Sequence, residues 1–265
     1  MDIIISRLPR YINQFASTPE APHPSLFRCG TASGAMCVDF AYPNKFDPYL
    51  VEHEAYQKLV GPDVTSDQQG VTNAIMLAFF KDYGVGVVDM QSLVDQGLQH
   101  GDYEPLLHEI EAQNRQGVIQ FLSVADESLL IDDATGASLH PGLHYGHCII
   151  RLGFSDDSGY GLYFDPAAPQ ACTDPKSGKN IPVHISWAES MVKAHVNSCF
   201  AIMPPGVPVP PAGFSFQSGK WPVPKPVFDA AKAESTVNAM LQAIAALQSA
   251  TANLANDLKA LQGEV

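Results

Sequence analysis

Residues 27–40 have the sequence FRCGTASGAMCVDF, and they contain the features from which the rest of the chain is interpreted. The residues directly after Cys29 are small, which leaves the chain around its thiol uncrowded. Apolar residues then recur at the spacing of one helical face, at Ala32, Ala35, Met36 and Phe40. The pattern predicts a helix with a buried stripe that carries Cys29 in its first turn.

Cys29 is the first candidate functional residue. At the start of a helix a thiol faces unpaired backbone N–H groups and the positive end of the helix dipole, and both favour the thiolate. The thiolate is the form that attacks a carbonyl carbon, so the position predicts a nucleophile. A buried structural thiol is the alternative, because cysteine is among the residue types most often found in protein interiors. This stretch alone leaves both interpretations open.

The composition restricts the class of protein. With 265 residues, of which 46% are hydrophobic, the chain is long enough for one domain of about 200 residues and an appendage. A formal net charge of −13 argues against nucleic acid or an anionic membrane as the main partner, because phosphate groups attract basic surfaces. The five cysteines form an odd set without C-x-x-C pairs, which predicts free thiols and disfavours a structural zinc site.

The hydropathy pattern bears on location. No apolar stretch approaches the length of a membrane span, and the short apolar run at residues 3–5 follows an acidic residue, unlike a secretory signal. We therefore expect no membrane partner, and a location in the cytoplasm or in a virion-like assembly.

The order of the predicted elements indicates an α+β domain over residues 1–203. Helical patterns fill most of the first half, and one helix is expected to open at a capping box in residues 66–69. Strand patterns follow in the second half, in residues 118–124, 146–154, 160–165, 181–185 and 198–203. Separate helical and strand regions are typical of the α+β class, with the strands forming an antiparallel sheet.

Two of these strands form a predicted β-hairpin with its turn at residues 156–159. Counting outward from the turn places His147 and Asp165 at the same end of the hairpin, on neighbouring strands. A carboxylate in that position can orient an imidazole, so the pair is a candidate for acid–base chemistry.

The C-terminal quarter has a different composition. Residues 204–226 are dense in proline and predict an extended, semi-rigid linker. Residues 227–265 then predict a coiled-coil helix whose a and d positions are Val237, Met240, Ile244, Leu247, Thr251, Leu254, Leu258 and Leu261. We expect this helix to form a homo-oligomer, with a parallel trimer preferred, because a proline linker disfavours a single helix docked on the domain.

Three motifs follow one another along the chain in a known order. A cysteine opens an early helix, a histidine starts a later strand, and an Asp-Pro ends the next strand. Over residues 8–203 the chain resembles the papain-like cysteine peptidases of the bacteriocin-processing, double-glycine leader type. The segments that carry the resemblance are residues 29–36, 117–122, 146–154 and 164–166. The resemblance implies a papain-like fold.

The same resemblance implies a catalytic triad. Cys29 would attack a carbonyl, His147 would take its proton and later deliver it to the leaving amine, and Asp165 would hold the imidazole. That family places a glutamine a few residues before the cysteine as oxyanion donor, but the six residues before Cys29 contain none. Gln14 is the candidate donor if the loop after it bulges outward. Otherwise His23 substitutes for it, or the site is impaired.

A metal site is the other interpretation of this region. His140, His144, His147 and Cys148 are close in sequence, but neighbouring strand residues point to opposite faces of a sheet. We therefore expect no metal and no cofactor, with Cys148 packed behind the sheet. Cys37 is expected to lie in the core.

Two functions remain for the chain. The first is a thiol-dependent hydrolase, a cysteine peptidase that cleaves peptide or amide bonds of a peptide or protein substrate, held in an oligomer by its C-terminal coil. Residues 125–143 are the loop expected to set its specificity. The alternative is a catalytically impaired papain-like domain that serves as a structural or binding component of a larger assembly, such as a phage virion or tail.

Overall fold

The computed structural model of the chain describes residues 2–15, 28–59, 71–155, 160–168, 172, 174 and 176–221. Contacts within the chain divide it into a first unit, Met1–Val223, and a second unit, Pro224–Val265. The second unit contains the whole of the predicted coiled coil, residues 227–265, and lies outside the described residues. Among the residues described, no helix has both the length and the apolar character that crossing a membrane requires.

The first unit has a mixed α+β fold. Its helices are α1 (Cys29–Ala41), α2 (Pro48–Leu59), α3 (Asn73–Asp82), α4 (Gln91–His100) and α5 (Glu104–Arg115). Its strands are β1 (Asp2–Ile4), β2 (Val87–Asp89), β3 (Ile119–Val124), β4 (His147–Ser155), β5 (Tyr160–Phe164), β6 (Val183–Ser186) and β7 (Val196–Ile202). The α+β class predicted from the sequence is thereby confirmed.

The strands form one antiparallel sheet. Six of them follow the order β2-β7-β3-β4-β5-β6, and β1 also pairs with β4. Successive residues of β3 face opposite sides of the sheet, as the pleat requires. The Gln120 amide bonds with Asn114 and Gln113 of α5, whereas the Phe121 ring packs on Phe80 of α3. Helices therefore cover both faces of the central strands.

Helix α1 is the most deeply buried helix, with every one of its residues in the interior. Its small residues explain how this is possible. A Cβ atom on Gly34 would lie 2.7 Å from Met76 Cε and 2.8 Å from Phe79 Cε1, so α3 packs directly on the backbone of α1. The other face of α1 packs against β4 and α2.

The start of α3 differs from the sequence prediction. The predicted capping box at residues 66–69 lies outside the described residues, and α3 begins at Asn73 with Thr72 as its N-cap. The Thr72 hydroxyl accepts a hydrogen bond from the Ile75 N–H at 3.3 Å. A threonine hydroxyl caps a helix as well as a capping box does, and nothing in the local pattern ranks one above the other.

Residues 204–221, where the predicted linker begins, pack on the domain. Val207 and Phe216 are buried, and Glu109 of α5 lies beneath this segment. The Glu109 carboxylate accepts hydrogen bonds from the Phe216 N–H at 2.8 Å and from the Ser215 hydroxyl at 2.7 Å. Farther along, the Trp221 N–H donates to Gln116 Oε1. We call this element segment 204–221.

We expect Glu109→Gln to destabilise the domain by about 1–3 kcal/mol, because an amide cannot replace a buried carboxylate that accepts two hydrogen bonds. Chemical denaturation of the full chain measures the free energy of unfolding. Glu104→Gln is the matched control, since Glu104 lies exposed on the same helix and should change stability by less than about 0.5 kcal/mol. Equal stability of the two variants would show that segment 204–221 contributes little to folding.

Candidate active site

Cys29 is the first residue of α1, and a buried ion pair fixes the chain directly before it. Arg28 Nε lies 2.9 Å from Glu52 Oε1 of α2, and both side chains are almost fully buried. The Thr31 hydroxyl donates to the same carboxylate at 2.8 Å. Because the Ala32 N–H donates to the Arg28 carbonyl, the ion pair holds the first turn of the helix in place.

Glycine is required directly after the cysteine. A Cβ atom on Gly30 would lie only 2.0 Å from Val71 Cγ2 and 3.7 Å from Cys148 Sγ. The start of α1 is thus packed against Val71, two residues before α3, and against β4. The Ser33 hydroxyl donates to the Cys148 carbonyl at 2.9 Å and fastens α1 to that strand.

The hairpin brings His147 and Asp165 together. Ile150 of β4 pairs with Phe164 of β5, so the first residue of β4 and the residue after β5 lie at one end of the hairpin. His147 Nε2 lies 2.7 Å from Asp165 Oδ1, and the two side chains are 2% and 0% exposed. The two predicted site residues on the hairpin are therefore in direct contact.

The Cys29 thiol has two hydrogen-bond partners, the Cys148 thiol and His147. Donation from Cys148, followed by donation from His147 and its positive charge, lowers the pKa of Cys29 well below its usual value despite the opposing effect of burial. The pKa of Cys148 is raised, first because its proton is held by Cys29 and then because it is buried. Of the two thiols, Cys29 is therefore the one that loses its proton more readily.

The charge on His147 is set by Asp165. Burial alone would lower the pKa of His147, but the Asp165 carboxylate, and then Cys29, raise it well above its ordinary value. Burial would likewise raise the pKa of Asp165, but the histidines in contact with it hold it far below its usual range. The pKa shifts of Cys29, His147 and Asp165 thus all favour the charged forms, a thiolate, an imidazolium and a carboxylate in series.

Asp165 has a second histidine partner. His140 Nε2 lies 2.6 Å from Asp165 Oδ2, so the two carboxylate oxygens each face one imidazole. The Ala167 N–H also donates to Oδ1, at 2.9 Å. The main-chain carbonyl of Asp165 accepts a hydrogen bond from the Tyr11 hydroxyl. These contacts fix both the side chain and the backbone of Asp165.

Glu127 completes the cluster. It begins a 3-10 turn after β3 and is buried, and its Oε2 lies 3.5 Å from His147 Nδ1. Burial raises the pKa of Glu127, while the nearby histidines oppose that shift. The ligand atoms of Glu127, His140 and His147 all lie within 4.8 Å of one another.

Gln14 lies next to the site on the N-terminal segment. Its side chain is buried, and its backbone N–H donates to the carbonyl of Pro166, the residue after Asp165, at 3.0 Å. Tyr11, three residues earlier, contacts Asp165 itself. The candidate oxyanion donor is thus anchored to the same loop as the carboxylate. The substitute donor, His23, lies outside the described residues.

The structure corrects the expected placement of Cys148, which faces α1 and contacts Cys29 instead of lying behind the sheet. Strand alternation does not separate His147 from Cys148 here, because Cys29 lies against the very start of β4. His144, considered above as a metal ligand, is exposed and pairs with Asp126. His140, by contrast, is buried beside His147, and both rings contact Asp165.

Two members of the cluster were not predicted from the sequence as site residues. One is Glu127, and the other is His140 in its role as a partner of Asp165. Both belong to residues 125–143, the loop interpreted above as a specificity loop. A signal for Glu127 was present in the strand register, because Val124 pairs with His147 and Glu127 follows shortly after that pair.

Neither a comparison with protein-family models nor one with curated proteins finds a match to this chain.

The lowered pKa of Cys29 predicts its alkylation behaviour. Iodoacetamide reacts with the thiolate, so labelling of Cys29 should already be near its maximal rate below neutral pH, whereas Cys37, whose pKa burial raises, should stay unlabelled. In Cys148→Ala and in His147→Ala the labelling profile of Cys29 should move to higher pH, because each substitution removes a donor. Peptide mass spectrometry against pH measures each rate, and identical profiles for Cys29 and Cys37 would contradict the assignment.

Proposed function

We propose that this chain is a thiol-dependent hydrolase, a papain-like cysteine peptidase that cleaves peptide or amide bonds with Cys29, His147 and Asp165. The observation that carries the proposal is the buried series of thiolate, imidazolium and carboxylate at the start of α1. A cysteine with a lowered pKa, hydrogen-bonded to a histidine that a carboxylate orients, is the arrangement that nucleophilic catalysis requires.

In the proposed reaction the Cys29 thiolate attacks the substrate carbonyl and forms a tetrahedral intermediate. His147, already protonated, gives its proton to the leaving amine as the carbon–nitrogen bond breaks, which leaves an acyl group on Cys29. The neutral imidazole then removes a proton from water, and the resulting attack on the acyl group releases the acid and regenerates the thiolate. Asp165 holds the ring in one orientation throughout.

The oxyanion of the tetrahedral intermediate needs hydrogen-bond donors. The Cys29 backbone N–H is one, because the first N–H groups of a helix have no partner within it. The Gln14 amide is the proposed second donor, supported by its burial and by the anchoring of its backbone to Pro166. The substrate is a peptide or protein, and residues 125–143, which supply Glu127 and His140, border the site and set its specificity.

The resemblance to the bacteriocin-processing peptidases supports the papain-like fold, and the antiparallel sheet preceded by helices is consistent with it. The heptad pattern of residues 227–265 supports a homo-oligomer, with a trimer preferred. The net charge of −13 supports a partner other than nucleic acid.

One observation favours the alternative, a papain-like domain without turnover that serves a larger assembly such as a virion or tail. Cys29 is only 7% exposed, and His147 is 2% exposed. A substrate carbonyl must reach the thiolate, and so little exposed surface is more typical of a structural thiol. Measurement of turnover separates the two functions.

We expect the full chain to hydrolyse members of a library of internally quenched peptides, and His147→Ala to reduce the rate by about 10²–10⁴-fold through loss of the proton donor. Cys29→Ala should abolish hydrolysis. Cys199→Ala is the matched control, because this buried thiol lies on β7 and contacts Met90 outside the cluster. Activity that survives in Cys29→Ala would refute the proposed nucleophile.

Gln14→Ala should lower kcat by about 10²–10³-fold with a much smaller change in KM, since an oxyanion donor acts chiefly in the transition state. The neighbouring side-chain amide gives the matched control, because Asn13 Oδ1 accepts a hydrogen bond from the Phe15 backbone N–H and so has a local role of its own. Asn13→Ala should retain most of the activity. A loss confined to Asn13→Ala would remove Gln14 from the mechanism.

A further inference from the structure

Two imidazoles and a carboxylate in the cluster, those of His140, His147 and Glu127, carry donor atoms that lie close to one another. Nε2 of His147 and Nε2 of His140 are both bound to Asp165. In a neutral ring that donates Nε2–H to Asp165, Nδ1 carries the lone pair, and in His147 this is also the nitrogen that serves Cys29 in the proposed hydrolysis. His147 Nδ1 lies 3.5 Å from Glu127 Oε2, and the ligand atoms of the three residues lie within 4.8 Å of one another.

We propose that Glu127, His140 and His147 form a binding site for a divalent transition-metal ion, Zn²⁺ in the first place. Two imidazole nitrogens and one carboxylate oxygen make up one of the donor sets that zinc takes in proteins. Two further polar side chains border these ligands, because Cys29 and Asp165 both contact His147. Three-ligand zinc sites of this kind leave the fourth position open.

The distances fit a tetrahedral ion. Bonds of about 2.0–2.1 Å to nitrogen and oxygen place neighbouring zinc ligands about 3.4 Å apart. The His147 and Glu127 atoms, at 3.5 Å, already have that spacing. The remaining separations, within 4.8 Å, need a contraction of at most about 1.4 Å.

Asp165 supplies the outer shell that such a site requires. Histidines that bind metals donate their other ring N–H to a carboxylate, which fixes the tautomer and turns the free nitrogen towards the ion. Here one buried carboxylate does this for both rings, with one oxygen for each. The outer shell is therefore in place before any metal binds.

Metal binding would regulate the proposed hydrolase. This regulation rests on the proposed function, whereas the metal site itself does not. Zinc–nitrogen bonds form at His140 and His147, a zinc–oxygen bond forms at Glu127, and any protons on these atoms pass to solvent. His147 can then no longer carry a proton to the leaving amine. The ion is thus an inhibitor of hydrolysis, and its removal by a chelator restores the imidazolium.

The test is a Zn²⁺ titration of the reduced, metal-free full chain in competition with a chromophoric chelator. We expect one equivalent to bind tightly. Glu127→Gln and His140→Gln should weaken binding by more than the about 10–100-fold that loss of an outer-shell partner costs, and Asp165→Asn should fall within that range. His144→Gln is the matched control, because His144 also pairs with a carboxylate, Asp126, but is exposed. Its affinity should be unchanged.

Folding of the variants is checked by circular dichroism and thermal unfolding without metal. His140→Gln keeps an N–H donor for Asp165, so it removes a ligand without removing that hydrogen bond. Zn²⁺ should raise the Tm of the wild type and leave that of His140→Gln unchanged. Co²⁺ should give visible d–d bands that are lost in His140→Gln.

Wild-type affinity in Glu127→Gln and His140→Gln would overturn the proposal, as would the absence of stoichiometric binding. Loss of binding in Cys29→Ala alone would also overturn it, because the ion would then belong to Cys29 and Cys148. Binding is measured without turnover, so the proposed hydrolase and the metal site can fail separately. Iodoacetamide labelling of Cys29 with Zn²⁺, and again after a chelator is added, connects the two, and we expect zinc to slow it.

Discussion

The buried carboxylate of Asp165 is the constraint on which the rest of the site depends. A carboxylate with no exposed surface is tolerated only when its charge is met and its oxygens accept hydrogen bonds. His147, His140 and the Ala167 N–H do this for the side chain, and Tyr11 bonds the main-chain carbonyl. The N-terminal segment, the loop after β3 and both strands of the hairpin therefore converge on one residue.

This convergence explains how a charged thiol can exist in the interior. Between Cys29 and Asp165 lies His147, whose raised pKa favours a positive charge between the two acidic groups, and His140 hydrogen-bonds the other oxygen of the carboxylate. Removing one member leaves an uncompensated charge in a low-dielectric region, which costs about 3–5 kcal/mol in buried ion pairs. Stability and reactivity are thus set by the same contacts, and selection on one constrains the other.

The sequence predicted those parts of the site that depend on local geometry. The helix that starts at Cys29 follows from apolar spacing, and the approach of His147 to Asp165 follows from counting outward from a turn. The contacts of His140, Glu127 and Cys148 were not predicted, because they depend on how a long loop folds back and on where α1 meets β4. Helical and strand periods report which face of an element is buried, but they carry no information on which loop side chain reaches it.

A similar limit applies to segment 204–221, whose prolines predict a stiff backbone but not its docking on α5. Trp221 is held twice, by its N–H on Gln116 and by its indole N–H on the Pro208 carbonyl. In mechanical terms, residue 221 is an anchored end, because the last described residue is fastened to α5 and to its own segment. The chain therefore leaves the domain from a point that Gln116 and Glu109 hold on α5, and none of these contacts is made with the hairpin residues His147 and Asp165.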